Sequence, residues 1–164
     1  MDDLSRILAL TAVLGTGVIG GAFFAFSSFV MRALGRLPPE QGLAAMQSIN
    51  VVVINPHFLG TFLGTAGISL AAVVVAGLRW GEAGAALYAT GGLLYFVGTF
   101  LVTGLGNVPL NNALEEVQPG DANAAETWND YLRRWTGWNH LRTAAALLAT
   151  LSFCLGLARQ GLVG

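Results

Sequence analysis

The sequence predicts an all-α fold, a membrane-embedded up-down bundle of four helices, and three observations support this. Of the 164 residues, 54% are hydrophobic and only 10% are charged, whereas soluble domains carry about 25% charged residues. The hydrophobic residues form four long blocks, each of a length that can cross a bilayer. The polar residues near these blocks gather at one of their two ends. We therefore treat residues 1–164 as a single four-span domain.

The first span is predicted at about residues 7–31, between Arg6 and Arg32. A spanning helix needs about 20 apolar residues to cross a hydrocarbon core of about 30 Å, and this block exceeds that length. It is also too long for the hydrophobic part of a signal peptide, and no convincing cleavage site follows it. We expect this helix to remain in the mature protein.

The second span is predicted at about residues 56–78, within a charge-free stretch between Glu40 and Arg79. One straight helix over that whole stretch would reach about 58 Å, far more than a bilayer requires. Pro56 supplies a break, because proline lacks an N–H and disfavours helical geometry at the residue before it. An amphipathic segment near residues 41–50 is expected before this span.

The third and fourth spans are predicted at about residues 83–106 and 138–157. The sequence that follows residue 106, Asn107-Val108-Pro109-Leu110-Asn111-Asn112, is typical of a helix end. An aromatic-rich helical loop is expected to precede the fourth span. The arginine distribution slightly favours a cytoplasmic location for the end that holds the polar residues.

Successive spans alternate in direction, so spans one and three end on the side where spans two and four begin. We call this side the mouth. It collects Ser27, Ser28, Gln47, Asn50, Asn55, His57, Asn107, Asn111, Asn112, Asn139, His140 and Arg142. These residues fit either an ordinary membrane boundary or a polar pocket. The pocket is favoured by Asn139 and Arg142, which fall at apolar depth, where polar groups usually point inward.

An aromatic stripe runs towards this side. Trp128, Tyr131, Trp135, Trp138 and Arg142 recur at spacings of three and four, so a helix places them on one face. The stripe fits an aromatic belt at the membrane surface. It also fits a wall of flat rings for a planar ligand, with Arg142 at its deep end. His140 points about 120° away from it.

Several classes of function are disfavoured. The eight arginines are scattered and the net charge is −1, so nucleic acid is not an expected partner. Cys154 is the only cysteine, which excludes a disulfide within the chain. His57 and His140 could share a haem or metal, but no carboxylate lies within the spans to complete a site, so none is expected. Small residues such as Gly17 and Gly21 leave a homo-oligomer open.

Four segments resemble the anthrone oxygenase family: Phe23-Phe24-Ala25-Phe26-Ser27, Met46-Gln47-Ser48-Ile49-Asn50, Asn107-Val108-Pro109-Leu110-Asn111, and Trp135-x-x-Trp138-Asn139-His140-x-Arg142-Thr143. That family comprises small four-span membrane proteins, some of which oxidise an anthrone to an anthraquinone with dioxygen. The resemblance implies a multi-pass protein of the cell membrane with oxidoreductase, monooxygenase-type activity on a hydrophobic aromatic molecule.

The roles of the candidate residues are inferred from the chemistry that the resemblance implies. The acidic methylene of an anthrone yields an enolate that reacts with dioxygen without a metal or flavin, so no cofactor is expected. The base would be His140 or His57, and the oxyanion donors Arg142, Asn107 and Asn139. The substrate-binding residues would be Asn50, Asn111, Trp128, Tyr131, Trp135, Trp138 and Phe24. The alternative is a non-catalytic membrane protein that binds a lipid, quinone or haem.

Overall fold

Every regular element in the computed structural model is helical, within the residues that it describes, 3–118 and 120–161. The α-helices are α1 (Asp3–Ala25), α2 (Met31–Leu34), α3 (Pro39–Val52), α4 (Pro56–Leu78), α5 (Ala85–Tyr95), α6 (Val108–Glu115) and α7 (Ala124–Gly161). Three π-helical segments, Phe26–Val30, Phe96–Leu101 and Thr103–Asn107, join α1 to α2 and α5 to α6. They therefore make longer helical runs out of shorter helices.

Four of these runs are long and apolar enough to cross a membrane: Ser5–Leu34, Pro56–Leu78, Ala85–Glu115 and Ala124–Gly161. Their outward faces carry large exposed aliphatic side chains, among them Leu14, Leu78 and Leu105. Such faces suit lipid and not water. The predicted all-helical bundle with four long apolar helices is confirmed, and the four helices indicate a multi-pass membrane protein.

The four long runs pack in a ring. The α1 helix contacts α4 and α7, and α5 contacts the same two helices from the other side. The α1 and α4 helices are antiparallel, because Gly15 lies against Thr65 whereas the later residue Phe23 lies against the earlier residue Phe58. The residues at which the four predicted spans begin and end stay predictions. The depth of each helix in a membrane therefore stays a prediction as well.

The predicted break before the second long helix is confirmed at Asn55 and Pro56. Asn55 is extended, and its Oδ1 accepts hydrogen bonds from the backbone N–H groups of His57 (3.1 Å) and Phe58 (3.0 Å). Pro56 occupies the first turn of α4, where a missing N–H costs little. The expected amphipathic segment is α3, which buries Leu43 and Met46 beneath Trp128.

The predicted helix end after Gly106 is wrong. The chain continues through the π-helical segment Thr103–Asn107 directly into α6. Pro109 lies in the first turn of α6, directly after the π-helical segment, and the helical run continues past it. The aromatic-rich segment before the fourth span is likewise not separate, because it forms the first part of the 38-residue helix α7.

Away from the mouth, the helices approach one another through small residues. We call this region the tight end: Ala9, Ala12, Ala72, Ala76, Ala85, Tyr88 and Phe153 form one buried cluster there. A Cβ on Gly156 would lie 2.6 Å from the Tyr88 ring, and a Cβ on Gly92 would overlap the Ser69 carbonyl oxygen. Only glycine permits these distances between the helices.

Candidate functional site

A cavity of about 160 Å³ lies at the mouth, between α1, α3, α4, α7 and the helical run that contains Thr103 and Asn111. We call it the aromatic cavity. Its lining consists of the aromatic residues Phe23, Phe26, Phe58, Phe62 and Trp135, the aliphatic residues Ala22, Met46, Ile49, Val53 and Leu59, and the polar residues Asn50, Thr103, Asn111 and Arg142. Rings and one cation therefore dominate the interior.

The phenylalanine rings form a connected wall. Phe58 and Phe62 are one turn apart on α4, and their rings stack with centroids 6.1 Å apart and planes at 8°. Phe23 of α1 packs edge-on against Phe62 at 6.3 Å. On the other side, Phe26 contacts Trp135 at 5.6 Å. These distances are in the range of favourable aromatic pairs, so the wall is rigid and shaped for a flat group.

Arg142 is the charged group of the cavity, and it is only 5% exposed. Its Nε donates to Asn139 Oδ1 at 2.9 Å and its Nη1 donates to Thr103 Oγ1 at 3.3 Å. The guanidinium carbon lies 3.9 Å from the Phe23 ring centroid and 4.8 Å from the Trp135 ring centroid. Within the described part of the chain no carboxylate forms an ion pair with it. Arg142 is therefore a buried cation held by neutral groups.

Asn139 positions this arginine. It is fully buried, and its Nδ2 donates to the Phe23 carbonyl oxygen at 2.8 Å and to Ser27 Oγ at 2.7 Å. Its Oδ1 is occupied by Arg142. Because all its polar atoms have partners inside the protein and it does not line the cavity, Asn139 acts on a ligand only through Arg142.

Asn111 positions Trp135. Its Oδ1 accepts hydrogen bonds from the Tyr131 hydroxyl (2.9 Å) and from Trp135 Nε1 (2.8 Å). Tyr131 in turn stacks between Trp128 and Trp135, with centroid distances of 5.7 and 6.2 Å. All three rings are buried against protein, so this part of the stripe is a protein interior and not a surface belt.

Asn50 and Asn107 carry buried polar atoms without hydrogen-bond partners. The Asn50 Nδ2 makes no hydrogen bond, although the side chain lies beside the Tyr131 hydroxyl. Asn107 is 1% exposed; its Nδ2 donates to the Trp135 carbonyl oxygen at 3.2 Å and its Oδ1 has no partner. Buried unpaired polar atoms are uncommon, and in Asn50 the unpaired atom belongs to a residue that lines the cavity.

An open groove of about 590 Å³ adjoins the cavity between α3 and α6. We call it the α3–α6 groove. Asn50, Val53 and Asn111 line both spaces, so these three residues form the boundary between them. The groove's outer part is lined by residues such as Ile54 and Glu115. The groove and the cavity therefore share one wall.

The structure brings together some predicted site residues and separates others. Asn50, Asn111, Trp135 and Arg142 line the cavity, and the predicted inward position of Asn139 and Arg142 is confirmed, because both are buried. The remaining candidates lie outside the lining: Trp128 and Tyr131 are buried behind it, whereas Phe24, Trp138, His57 and His140 are exposed. The two histidines therefore do not contact the cavity.

Five residues that line the cavity are not among the candidates predicted from the sequence: Phe23, Phe26, Phe58, Phe62 and Thr103. Phe23 and Phe26 belong to the segment Phe23-Phe24-Ala25-Phe26-Ser27, but the sequence does not show which of its rings face inward. Phe58 directly follows His57, and the spacing of four to Phe62 was the available signal for one helix face. No group of three His, Cys, Asp or Glu side chains that could hold a metal ion occurs among residues 3–118 and 120–161.

Comparison with known proteins gives one family. A model of the anthrone oxygenase family matches residues 52–152, which is more than half of the chain. The matched range includes α4, α5, α6 and the part of α7 that holds Trp135, Asn139 and Arg142. No curated protein and no solved structure gives a match.

Proposed function

The chain belongs to the anthrone oxygenase family, and from this premise we propose that it is a membrane-bound oxygenase. Its substrate is a planar, electron-rich, anthrone-like aromatic molecule, which dioxygen oxidises within the aromatic cavity. We place the protein in the cell membrane, with lipids against the exposed apolar faces of its four long helices. A homo-oligomer stays a prediction.

One observation carries the proposal: a buried guanidinium lies inside an aromatic cavity, and no carboxylate in the described part of the chain forms an ion pair with it. Arg142 contacts the faces of Phe23 and Trp135, and its remaining N–H donors can reach a bound ligand. Such a group stabilises negative charge that develops on an oxygen during a reaction, and it does so strongly because water is excluded. Oxidation of an anthrone develops that charge.

The reaction balances without an external electron donor. The methylene between two aryl rings loses a proton, and the electron pair delocalises onto the carbonyl oxygen as an enolate. Addition of dioxygen at that carbon and return of the proton give a hydroperoxide, which loses water to leave a carbonyl. The net change, R₂CH₂ + O₂ → R₂CO + H₂O, takes all its electrons from the substrate. We therefore propose that no metal or flavin takes part.

The chain's own residues bind and orient the substrate in this scheme. Arg142 donates to the enolate oxygen, and Asn139 and Thr103 hold the guanidinium in place. The rings of Phe58, Phe62 and Trp135 contact the flat faces of the substrate. We retain His57 and His140 as proposed proton acceptors, but both are exposed, so the proton would reach them through water and not by direct contact.

Oxygen uptake with anthrone tests this function. Detergent-purified, chelator-treated protein should consume dioxygen and produce quinone absorbance above the buffer rate. Arg142→Gln should lower kcat/KM about 100-fold, the loss typical of one oxyanion donor. Arg133→Gln is the control, because Arg133 lies on the same helix but is exposed and paired with Asp130 at 2.7 Å.

Two results would contradict the proposal. No uptake above the buffer control would leave the alternative of a non-catalytic protein that binds a lipid, quinone or haem, and a coloured purified protein would favour the haem. A rate that returns only after iron or copper is added would show that the reaction requires a metal.

A further inference from the structure

We propose that the aromatic cavity binds the ionised form of a single hydroxylated aromatic ring, with Arg142 as its cationic partner, and that any further rings of the ligand lie in the α3–α6 groove. This inference rests on the proposed function for the identity of the site. It adds a substrate class, the aryl oxyanion, and a division of the ligand between two spaces.

The charge of Arg142 has no ionised partner within the described part of the chain. A buried charge is costly unless it is paired, yet the partners of this guanidinium are the neutral side chains of Asn139 and Thr103. Of the residues that line the cavity, only Arg142 is ionisable at ordinary pH. The Tyr131 hydroxyl lies near it, but that hydroxyl is committed to Asn111. An anionic ligand would supply the missing counter-charge.

The size of the aromatic cavity favours a single aromatic ring as its occupant. The cavity holds about 160 Å³, similar to the engineered cavity of about 150 Å³ that binds benzene in another protein. The nearly parallel rings of Phe58 and Phe62 line one side of it. A flat six-membered ring fits against such faces, whereas a three-ring molecule exceeds the cavity alone.

The α3–α6 groove receives the rest of a larger ligand. It adjoins the cavity at Asn50, Val53 and Asn111, and its volume is about 590 Å³. Asn50 places a buried amide nitrogen without a hydrogen bond at this boundary. That nitrogen has almost no accessible surface in this structure, so an oxygen substituent on a second ring would accept from it only after the Asn50 side chain turns towards the groove.

The test uses 4-nitrophenol, a one-ring probe whose anion absorbs visible light and whose neutral form does not. Its electron-poor ring resists oxidation, so binding is measured apart from turnover. The probe's absorbance is titrated against pH with protein in detergent and with protein-free micelles. We expect protein to lower the apparent pKa of the bound probe by about 1 to 3 units, the range for an acid beside a guanidinium.

Matched compounds and variants locate the effect. 4-Nitroanisole, the methyl ether that cannot ionise, should bind at least about tenfold more weakly than the anion, a difference of about 1.4 kcal/mol. Arg142→Gln should abolish the pKa shift, and Arg133→Gln should preserve it. An unshifted titration of the wild-type protein, or equal affinity for the ether, overturns the inference even if the variants do not fold.

The outcome is separable from that of the proposed function. A shifted titration without oxygen uptake on any anthrone leaves the anion site intact and removes the oxygenase. Oxygen uptake with an unshifted titration leaves the oxygenase intact and shows that the site does not select the ionised ring.

Discussion

At the tight end the helices meet through alanines and glycines, whereas at the mouth they meet through aromatic rings and hydrogen-bonded polar side chains. The tight end contains five alanines beside Tyr88 and Phe153. The mouth contains the rings of Phe23, Phe58 and Phe62, with Asn139 and Arg142 between the helices. The same four helices thus pack closely at one end and enclose a cavity at the other.

The comparison shows how a small bundle can hold a site without a second domain. Small residues let the backbones approach at the tight end, and dispersion contacts stabilise that half. At the mouth, large rings hold the helices apart and rigid polar bonds replace close packing. Removal of a polar side chain should therefore be most damaging at the mouth, and addition of a methyl group should be most damaging towards the tight end.

Removal of the Asn139 side chain should be the most damaging change at the mouth. Asn139→Ala leaves Arg142 Nε without its partner and removes the hydrogen bonds to the Phe23 carbonyl oxygen and to Ser27 Oγ, which keeps its hydrogen bond to Thr143 Oγ1 at 3.0 Å. Unsatisfied buried groups cost about 1 to 3 kcal/mol, so we expect a loss of about 3 kcal/mol in the free energy of unfolding. Thermal unfolding in detergent measures it. Asn129→Ala, at an exposed position on the same helix, should change stability little.

If the two asparagine variants unfold at the same temperature, the polar network does not stabilise the mouth. The contrast drawn above would then rest on the aromatic rings alone.

Addition of one methyl group should be the most damaging change towards the tight end. In Gly92→Ala the new Cβ would overlap the Ser69 carbonyl oxygen, and α4 and α5 must move apart. Overpacking costs about 1 to 3 kcal/mol, so we expect about 2 kcal/mol. Gly67→Ala on α4 is the control, because a Cβ there meets no atom within 4 Å. Equal stability of the two variants would show that the close approach is adjustable.

Addition of atoms at the mouth should leave stability nearly unchanged and impair binding. Ala22 lines the cavity, so the two methyl groups added by Ala22→Val enter open space. We expect a stability change within about 0.5 kcal/mol and about a tenfold loss of affinity for 4-nitrophenolate, or about 1.4 kcal/mol. An undiminished affinity would place the probe outside the aromatic cavity.

Replacement of both histidines should have the smallest effect. His57 and His140 are exposed and do not line the cavity, so water can accept a proton in their absence. The double change to alanine should lower kcat by far less than the factor of about 100 that a positioned general base contributes. A loss of that size in oxygen-uptake assays would establish one histidine as the base and require a closed conformation that brings it to the substrate.

The sequence was sufficient for the fold and for part of the site. Hydrophobic block lengths predicted four long helices, and the depth of Asn139 and Arg142 predicted their burial. Adjacent residues were harder to separate, because Phe23 and Phe24 are equally hydrophobic and only packing against α4 decides that Phe23 faces inward. The spacing of the stripe also includes Trp138, but in the structure this side chain lies against Gly106 and is 42% exposed.

The π-helical segment Phe96–Leu101 has a consequence for how the chain could change in length. A π turn corresponds to one residue inserted into an α-helix. Deletion of one residue there should restore regular helix and leave everything beyond it at nearly the same angle relative to α5, because the π turn already absorbs the extra residue. Deletion of one residue from the regular part of α5 would instead rotate Asn107 and Asn111 by about 100°, away from Trp135. Helix register, separately from residue identity, thus determines whether the site exists.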